Sequence, residues 1–416
     1  MQLRELSRPD RRPLRIYTAV GGGTHSWIDK YRLLLPLYWG DQLGYCQYVN
    51  DHRDAPAAPQ ARKEYEELRT AIMLAADVHW YHHKIETNVE QLLAMKERGA
   101  VIWGSDDDLE NVDPFNTTYI SFGTTDGQGR KLAPGEPLMI THNGKERVLW
   151  AEGQSITRDG QMWSLEEAQR RMDILRRVAY GAEGVVVSTP QLAEVYRNYG
   201  AKNIYVYPNS LDFEDYPEID LAPPSKVRIL WAGGSSHLGD LATIEAPLRA
   251  VLARHPDVEF VQWGQIFEGM RDWLDGRVTF LEWVHPEAYT LRLSTMNHSI
   301  NLCPLANTPF NQSKSAIKWY ESSAICRPAA TLAAAVGPFN EIADGVNGMT
   351  YITPEEFAEK LEALITTEEL RRRLSAAAST WVHENRDVRR NAGPLFEWVG
   401  ETAKMAPRLR RLVVAR

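Results

Sequence analysis

The feature that most constrains this chain is a repeated alternation of short apolar runs with longer segments of helical spacing, several runs stopping at glycine. Residues 14–20, 45–49, 77–81 and 101–103 read as strands, separated by helical spacing at 27–39, 59–75 and 85–98. After an interruption the rhythm resumes, with helices at 165–177 and 190–199 and strands at 184–188 and 204–207. It restarts with strands at 227–231, 258–263, 278–281 and 299–305, and helices at 241–254, 354–365 and 368–384. Repeated strand–helix units of this length are satisfied by a parallel sheet with helices on both faces. Ligands of such sheets sit beyond the carboxyl ends of the strands, so chemistry is sought in the residues that come after each strand.

The two series meet at 208–224, PNSLDFEDYPEIDLAPP, which is rich in proline and acids and has no periodicity. This reads as a domain boundary. A chain of 416 residues that is 44% hydrophobic is long enough to bury two cores. The expected fold class is therefore α/β, with two doubly wound Rossmann-like domains facing across a cleft. The first spans 1–210, a linker 211–225 and the second 226–390, with a C-terminal helix and basic tail over 391–416. Residues 116–164 break the rhythm; they are rich in Gly, Thr, Asp and Pro, with short alternating runs at 138–141 and 146–151. The stretch is too long for a simple connection and reads as a β-rich insertion in the first domain, at the mouth of a site where an acceptor is recognised.

Charge and cysteine usage narrow the function classes. A formal net charge of −8 argues against a broad electrostatic grip on nucleic acid, and the basic PRLRRLVVAR at the C-terminus reads as a solvated tail. No apolar run approaches the length of a membrane span. The N-terminal stretch carries charges where a signal peptide has its apolar core. Cys46, Cys303 and Cys326 are odd in number and widely spaced, which suits neither a disulfide framework nor a metal site. The expected location is the cytoplasm.

Four places carry candidate chemistry. In NQSKSAIKWYE, residues 311–321, Lys314, Ile317, Lys318 and Glu321 fall three or four apart and would share one helix face, with Ser315 beside them. The first turn of such a helix, with its ammonium and free N–H groups, suits a phosphate. A carboxylate one to two turns on suits ribose hydroxyls, and a glycine-rich turn at 344–348 would close the neighbourhood. The other reading is a surface helix whose charges are solvated pairs. Gly233, Gly234, Ser235, Ser236 and His237, with Asp240 just beyond, form a second candidate phosphate cradle between a strand and a helix, and Gly264 ends the next strand. An ordinary strand–helix turn would look the same. In the first domain Gly22 and Gly23 allow close approach of backbone to a ligand, and His25 faces either the cleft or solvent. No GxGxxG is present.

The fourth place is Asp106, Asp107 and Asp108, after a first-domain strand and near His79, His82 and His83. Adjacent carboxylates raise one another's pKa unless a cation or donors compensate. They suit a divalent metal, a general base, or the cap of the next turn.

Together these residues resemble the GT-B glycosyltransferases, and more narrowly the retaining family-four type in a bacterial and phage-like subset. The resemblance covers about residues 14–390. It rests most on the helix that ends Glu321-Ser-Ser-Ala-Ile-Cys-Arg-Pro328, on the later loop FNEIADGVNG, and on the acidic DDD. Two features depart from that family. Ser313 stands where a paired glutamate is usual, and GGSSHLGD replaces the usual arginine and lysine after the second domain's first strand, leaving Lys314 as chief phosphate ligand. The resemblance implies transfer of a hexosyl or related sugar from a UDP- or GDP-sugar to an acceptor hydroxyl, with retention, without metal and without a permanently bound cofactor. It implies Glu321 on the ribose and Asp107 as an acid group of the reaction centre, flanked by Asp106 and Asp108, with His25 as the alternative. The acceptor is a glycan, lipid, protein or modified DNA base. A non-catalytic nucleotide-sugar-binding module is the reading from another class.

Overall fold

The computed structural model describes residues 12–18, 29–51, 58–82, 93–116, 118–142, 145–154, 162–222, 224–234, 237–265 and 277–406. Among these, the strands form two parallel six-stranded sheets and one antiparallel pair. The first sheet takes β1 (Leu14–Thr18), β2 (Cys46–Asn50), β3 (Val78–His82) and β4 (Ala100–Ser105). The hairpin β5 (Leu138–His142) and β6 (Lys145–Trp150) intervenes before β7 (Gly184–Val187) and β8 (Ile204–Val206) complete that sheet. Its order is β2-β1-β3-β4-β7-β8. The second sheet takes β9 (Arg228–Gly233), β10 (Glu259–Gly264), β11 (Val278–Leu281), β12 (Ile300–Cys303), β13 (Ala330–Ala334) and β14 (Met349–Tyr351), in the order β11-β10-β9-β12-β13-β14. Both sheets are doubly wound, and the strand order reverses between β1 and β3 in one and between β9 and β12 in the other. Such reversals open the crevice in which ligands of this architecture bind.

Burial explains the sequence pattern strand by strand. Every residue of β3, β4, β12 and β13 is buried, as expected of central strands covered by helices on both faces. The edge strands β2 and β8, and β11 and β14, are partly exposed. Expected strands and observed ones agree closely except at β13 and β14. The alanine-rich ATLAA and the three-residue MTY carry little β propensity of their own, and their neighbours in the sheet decide their state.

The chain divides into two compact units. The first holds the chain up to Asp106, Arg170–Asp212 and everything from Arg386 onward; the second holds Asp107–Gln169 and Phe213–Asn385. The insertion thus lies between β4 and β7 in sequence but packs as part of the second unit. The cause is a small core in which Val112, Tyr119, Leu132, Leu138, Trp150 and Trp163 enclose Phe310. Its indoles are satisfied internally, Trp150 donating to the Pro114 carbonyl at 2.8 Å and Trp163 to that of Gly123 at 3.1 Å. A simple flap has no such core. No helix among the described residues is long and apolar enough to cross a membrane.

The first unit's core is closed from the far end of the sequence. Helix Val388–Ala403 lays Ala392, Leu395, Phe396 and Val399 against Ile16, Leu37 and Trp80. Helix Leu35–Gln42 presents Gly40 to Phe396, and any side chain at Gly40 would overlap that ring. Phe396→Ala should therefore cost the first unit about 3–5 kcal/mol, the usual loss for a buried phenyl group. Urea denaturation checks this, and a loss below about 1 kcal/mol would show that the helix is not part of that core.

Candidate functional site

The site is built at the reversal point of the second sheet, where β9 and β12 end. Strand β9 runs out at Gly233, where an added Cβ would lie 2.8 Å from the Trp231 ring and 3.2 Å from the His237 ring. Its neighbour β10 ends at Gly264, whose φ of +105° suits glycine and whose missing Cβ leaves room for the Gly233 carbonyl and the Trp283 ring. The Gln265 N–H donates to that carbonyl at 2.9 Å, locking the two strand ends together. Ser235 and Ser236 lie outside the described residues, as do Gly22, Gly23, His25 and His83.

Asp240, on the short helix Leu238–Ala242, organises the loops around it. It is 2% exposed and accepts three bonds: from His237 Nδ1 at 2.6 Å, from the Ala306 N–H at 2.8 Å and from Asn311 Nδ2 at 2.7 Å. Burial pushes its carboxyl up, but the bond from His237, the charge of Lys314 and the Ala306 N–H outweigh this and hold it below the usual range. Its carboxylate is thus used within the protein, tying β9's turn to the loop after β12. His237 is lowered to about 3, by burial first and then by the charges of Lys318 and Lys314. Its ring is therefore neutral; a proton on Nδ1 satisfies Asp240 and leaves Nε2 as an acceptor.

The stretch expected to form one helix over 311–321 is broken in two. Pro309–Gln312 is a single turn capped by Thr308, whose hydroxyl accepts from the Asn311 N–H at 3.2 Å, and the next helix begins only at Ile317. Residues 313–316 connect them, with Ser313 and Ser315 on either side of Lys314. Serine disfavours helix interiors, because its hydroxyl competes for backbone groups, and two flank the lysine here. Lys314 therefore does not share a helix face with Lys318 and Glu321; it precedes the start of helix Ile317–Ala324. No side chain caps that helix end.

Both lysines still meet in one neighbourhood. Lys314 Nζ lies 4.5 Å from the centroid of the buried Phe310 ring, and Lys318 Nζ lies 5.7 Å from that of Trp231. Burial is the main cause that lowers Lys318 to about 8, with Lys314 adding to it against Cys303, Asp240 and Glu321. The helix is not a surface helix. Trp319 through Ala324 are buried, and Trp319 packs on Trp381 with centroids 5.0 Å apart. Glu321 is 5% exposed and accepts from the Tyr289 hydroxyl at 3.0 Å, while Tyr289 stacks on Trp263 at 4.8 Å.

The glycine turn at 344–348 lies in the loop between β13 and β14. Asp344 is taken by Lys360 Nζ and the Thr350 N–H, both at 2.8 Å, and the turn feeds the start of β14. The part of that loop that reaches the site helix is Glu341, which accepts from the Tyr320 hydroxyl.

The three aspartates separate. Asp106 stays with the first unit, 3.9 Å from His82 Nε2, and its charge supports the buried Arg32. Asp107 begins the second unit and is half-buried. Asp108 is 1% exposed, is raised chiefly by burial and accepts from Asn111 Nδ2 at 2.8 Å across the turn Leu109–Asn111. His79 lies inside β3 rather than at its end, and burial lowers it to about 4. Among the described residues no group of three His, Cys, Asp or Glu is placed to hold a metal ion. One residue the sequence did not single out belongs here: Asp113, which feels the charges of both Asp240 and Lys314. Nothing local marks it, because only the packing of the insertion brings it to this sheet end.

No protein-family model matches the sequence, and no curated protein matches it. Solved structures do match. Sucrose-phosphate synthase from Thermosynechococcus elongatus superposes with a TM-score of 0.57 at 12% identity, over 97% of this chain and 100% of that one. HepE from Anabaena, in complex with UDP and glucose, gives 0.53 at 12% identity over 93% and 100%. A glycosyltransferase from Rickettsia africae gives 0.55 at 11% identity over 95% and 99%. The fold is GT-B. At these identities the likeness is one of architecture, and the chemistry rests on this chain's own residues.

Proposed function

We propose that this protein is a glycosyltransferase that binds a UDP- or GDP-sugar at the carboxyl ends of β9 and β12 and passes the sugar to an acceptor hydroxyl with retention. The observation that carries this reading is the convergence of Lys314, Lys318 and the glycine turn after β9 where the second sheet reverses its strand order. Two ammonium groups and an uncapped helix start suit an anion such as a diphosphate. The GT-B fold, shared with a protein solved with UDP, supports the same assignment.

The reaction needs charge neutralised on the departing diphosphate as the glycosidic bond loosens. Lys314, in the turn before the helix, is the chief group for this, and Lys318 is the second. Glu321, steadied by Tyr289, takes the ribose hydroxyls. Asp107 serves the reaction centre as a carboxylate for a sugar or acceptor hydroxyl, and no metal is required. One observation favours a binding module instead: Ser313, which replaces the family's first glutamate, is only 3% exposed and offers the donor sugar no carboxylate. Turnover of a sugar nucleotide decides between the two.

Lys314→Ala should weaken UDP binding by about 1.5–3 kcal/mol in calorimetry, the scale of a charge-assisted hydrogen bond, and an unchanged affinity would remove the lysine from the site. Lys318 gives a pH dependence. Its value in the free protein is lowered to about 8, so above that pH it loses the proton that attracts the diphosphate. UDP affinity should fall as pH rises through this value, and binding near it should take up protons, seen as a dependence on buffer ionisation enthalpy. Lys318→Met should flatten both effects. Asp107→Asn should slow transfer about a hundredfold or more while leaving UDP affinity unchanged, and EDTA should leave the wild-type rate intact. Inhibition by EDTA that manganese or magnesium restores would overturn the metal-free mechanism.

A further inference from the structure

Within the second unit a cavity of about 500 Å³ opens between the insertion and the residues just beyond β9 and β12. Asp113, Phe115 and Met139 line it from the insertion; Gly239, Ala306 and Thr308 line it from the sheet side. Its size falls within the range of small-molecule sites, about 300–1,000 Å³. Gly239 and Ala306 adjoin the Asp240 network, because Gly239 precedes that aspartate and the Ala306 N–H donates to it. The cavity is therefore walled by the residues that also set the lysine turn.

Asp113 is the polar group built into it. The residue is 9% exposed, and Oδ1 accepts from the Phe115 N–H at 2.8 Å. Oδ2 has no hydrogen-bond partner among the described residues and lies 3.9 Å from where a Cβ on Gly239 would be. That oxygen is not sealed from water, so it faces the cavity, where a ligand hydroxyl can donate to it. We propose that this cavity is the acceptor site and that it takes a neutral saccharide, whose reacting hydroxyl donates to Asp113. The proposal rests on the reading of the lysine turn as a sugar-nucleotide site.

The lining decides the ligand class. Arg130 is its one cation and is already paired, with Asp126 at 3.1 Å and Glu136 at 2.8 Å. With Asp113 the wall is net negative, which repels a phosphosugar or a nucleic acid strand. Phe115 and Met139 are 40% and 42% exposed, apolar surface suited to the C–H face of a pyranose ring. Carboxylates suit its hydroxyls. The outer wall is preformed, since Asp126 also accepts from the Gln128 and Arg130 N–H groups and Glu136 from that of Ala133. A rigid wall lowers the entropy cost of binding. The burial that raises Asp113 is eased by Lys314, which links the cavity to the diphosphate cradle.

The full chain should be applied to an array of neutral, sialylated and phosphorylated glycans and of hydroxymethylated DNA, and affinities for the hits measured by saturation-transfer NMR. The variants are Asp113→Asn and Met139→Trp, the second being a surface change that fills the cavity without touching the core; UDP and GDP affinities are measured on every sample. Neutral glycans should dominate the hits, and both variants should weaken them tenfold or more. Wild-type protein that binds UDP or GDP but no neutral glycan would overturn the proposal, as would neutral binding unmoved by either variant. A preference for anionic probes that both variants abolish would overturn the ligand class. Wild-type protein that binds neither UDP nor GDP would overturn the donor reading and with it the acceptor role of the cavity.

Discussion

The second unit depends on one buried carboxylate. Asp240 takes donors from three separate pieces of chain: the turn after β9, the loop after β12 and the helical turn that precedes Lys314. An ionised carboxylate taken out of water is tolerable only when its lone pairs are filled, and here three donors fill them. Because those donors come from both sides of the point where the strand order reverses, satisfying Asp240 also fixes the width of the crevice. The neutral His237 is a product of the same arrangement. Burial first, and then the two lysines nearby, make a further positive charge costly, so the neutral ring holds its place through its bond to Asp240.

At the lysine turn the local geometry differs from the one that spacing implies. Spacing placed Lys314, Lys318 and Glu321 on one helical face; the chain instead breaks between two helices at Ser313, and the residues converge through tertiary packing. The break places Lys314 ahead of a helix start, which suits an anion better than a position on the helix flank. The surface-helix alternative fails for a reason invisible in the spacing, since aromatic packing of Trp319 against Trp381 covers the side that periodicity leaves open.

Most of the sheet architecture is legible in the sequence because central strands are buried on both faces and read as unbroken apolar runs. What is not legible depends on partners distant in sequence. ATLAA is a strand only because β12 pairs with it, and Asp113 reaches the second sheet only because Trp150 and Trp163 pack around Phe310. The acidic triplet was legible as unusual but not as three residues with separate surroundings, because the division between units falls between Asp106 and Asp107.

The path of the chain has a consequence for biosynthesis. It passes between the two units at 106/107, 169/170, 212/213 and 385/386, and the last passage returns the C-terminal helix to a core begun at β1. On the ribosome the first unit therefore has its sheet translated early but lacks Leu395, Phe396 and Val399 until the whole of the second unit has been made. The second unit, whose last residue is Asn385, has its whole complement before the first does. Domains generally fold as they emerge, N-terminal first, whereas here the second unit's residues are complete before those of the first. The face of the first sheet awaiting its helix is an apolar surface that nascent-chain chaperones would hold.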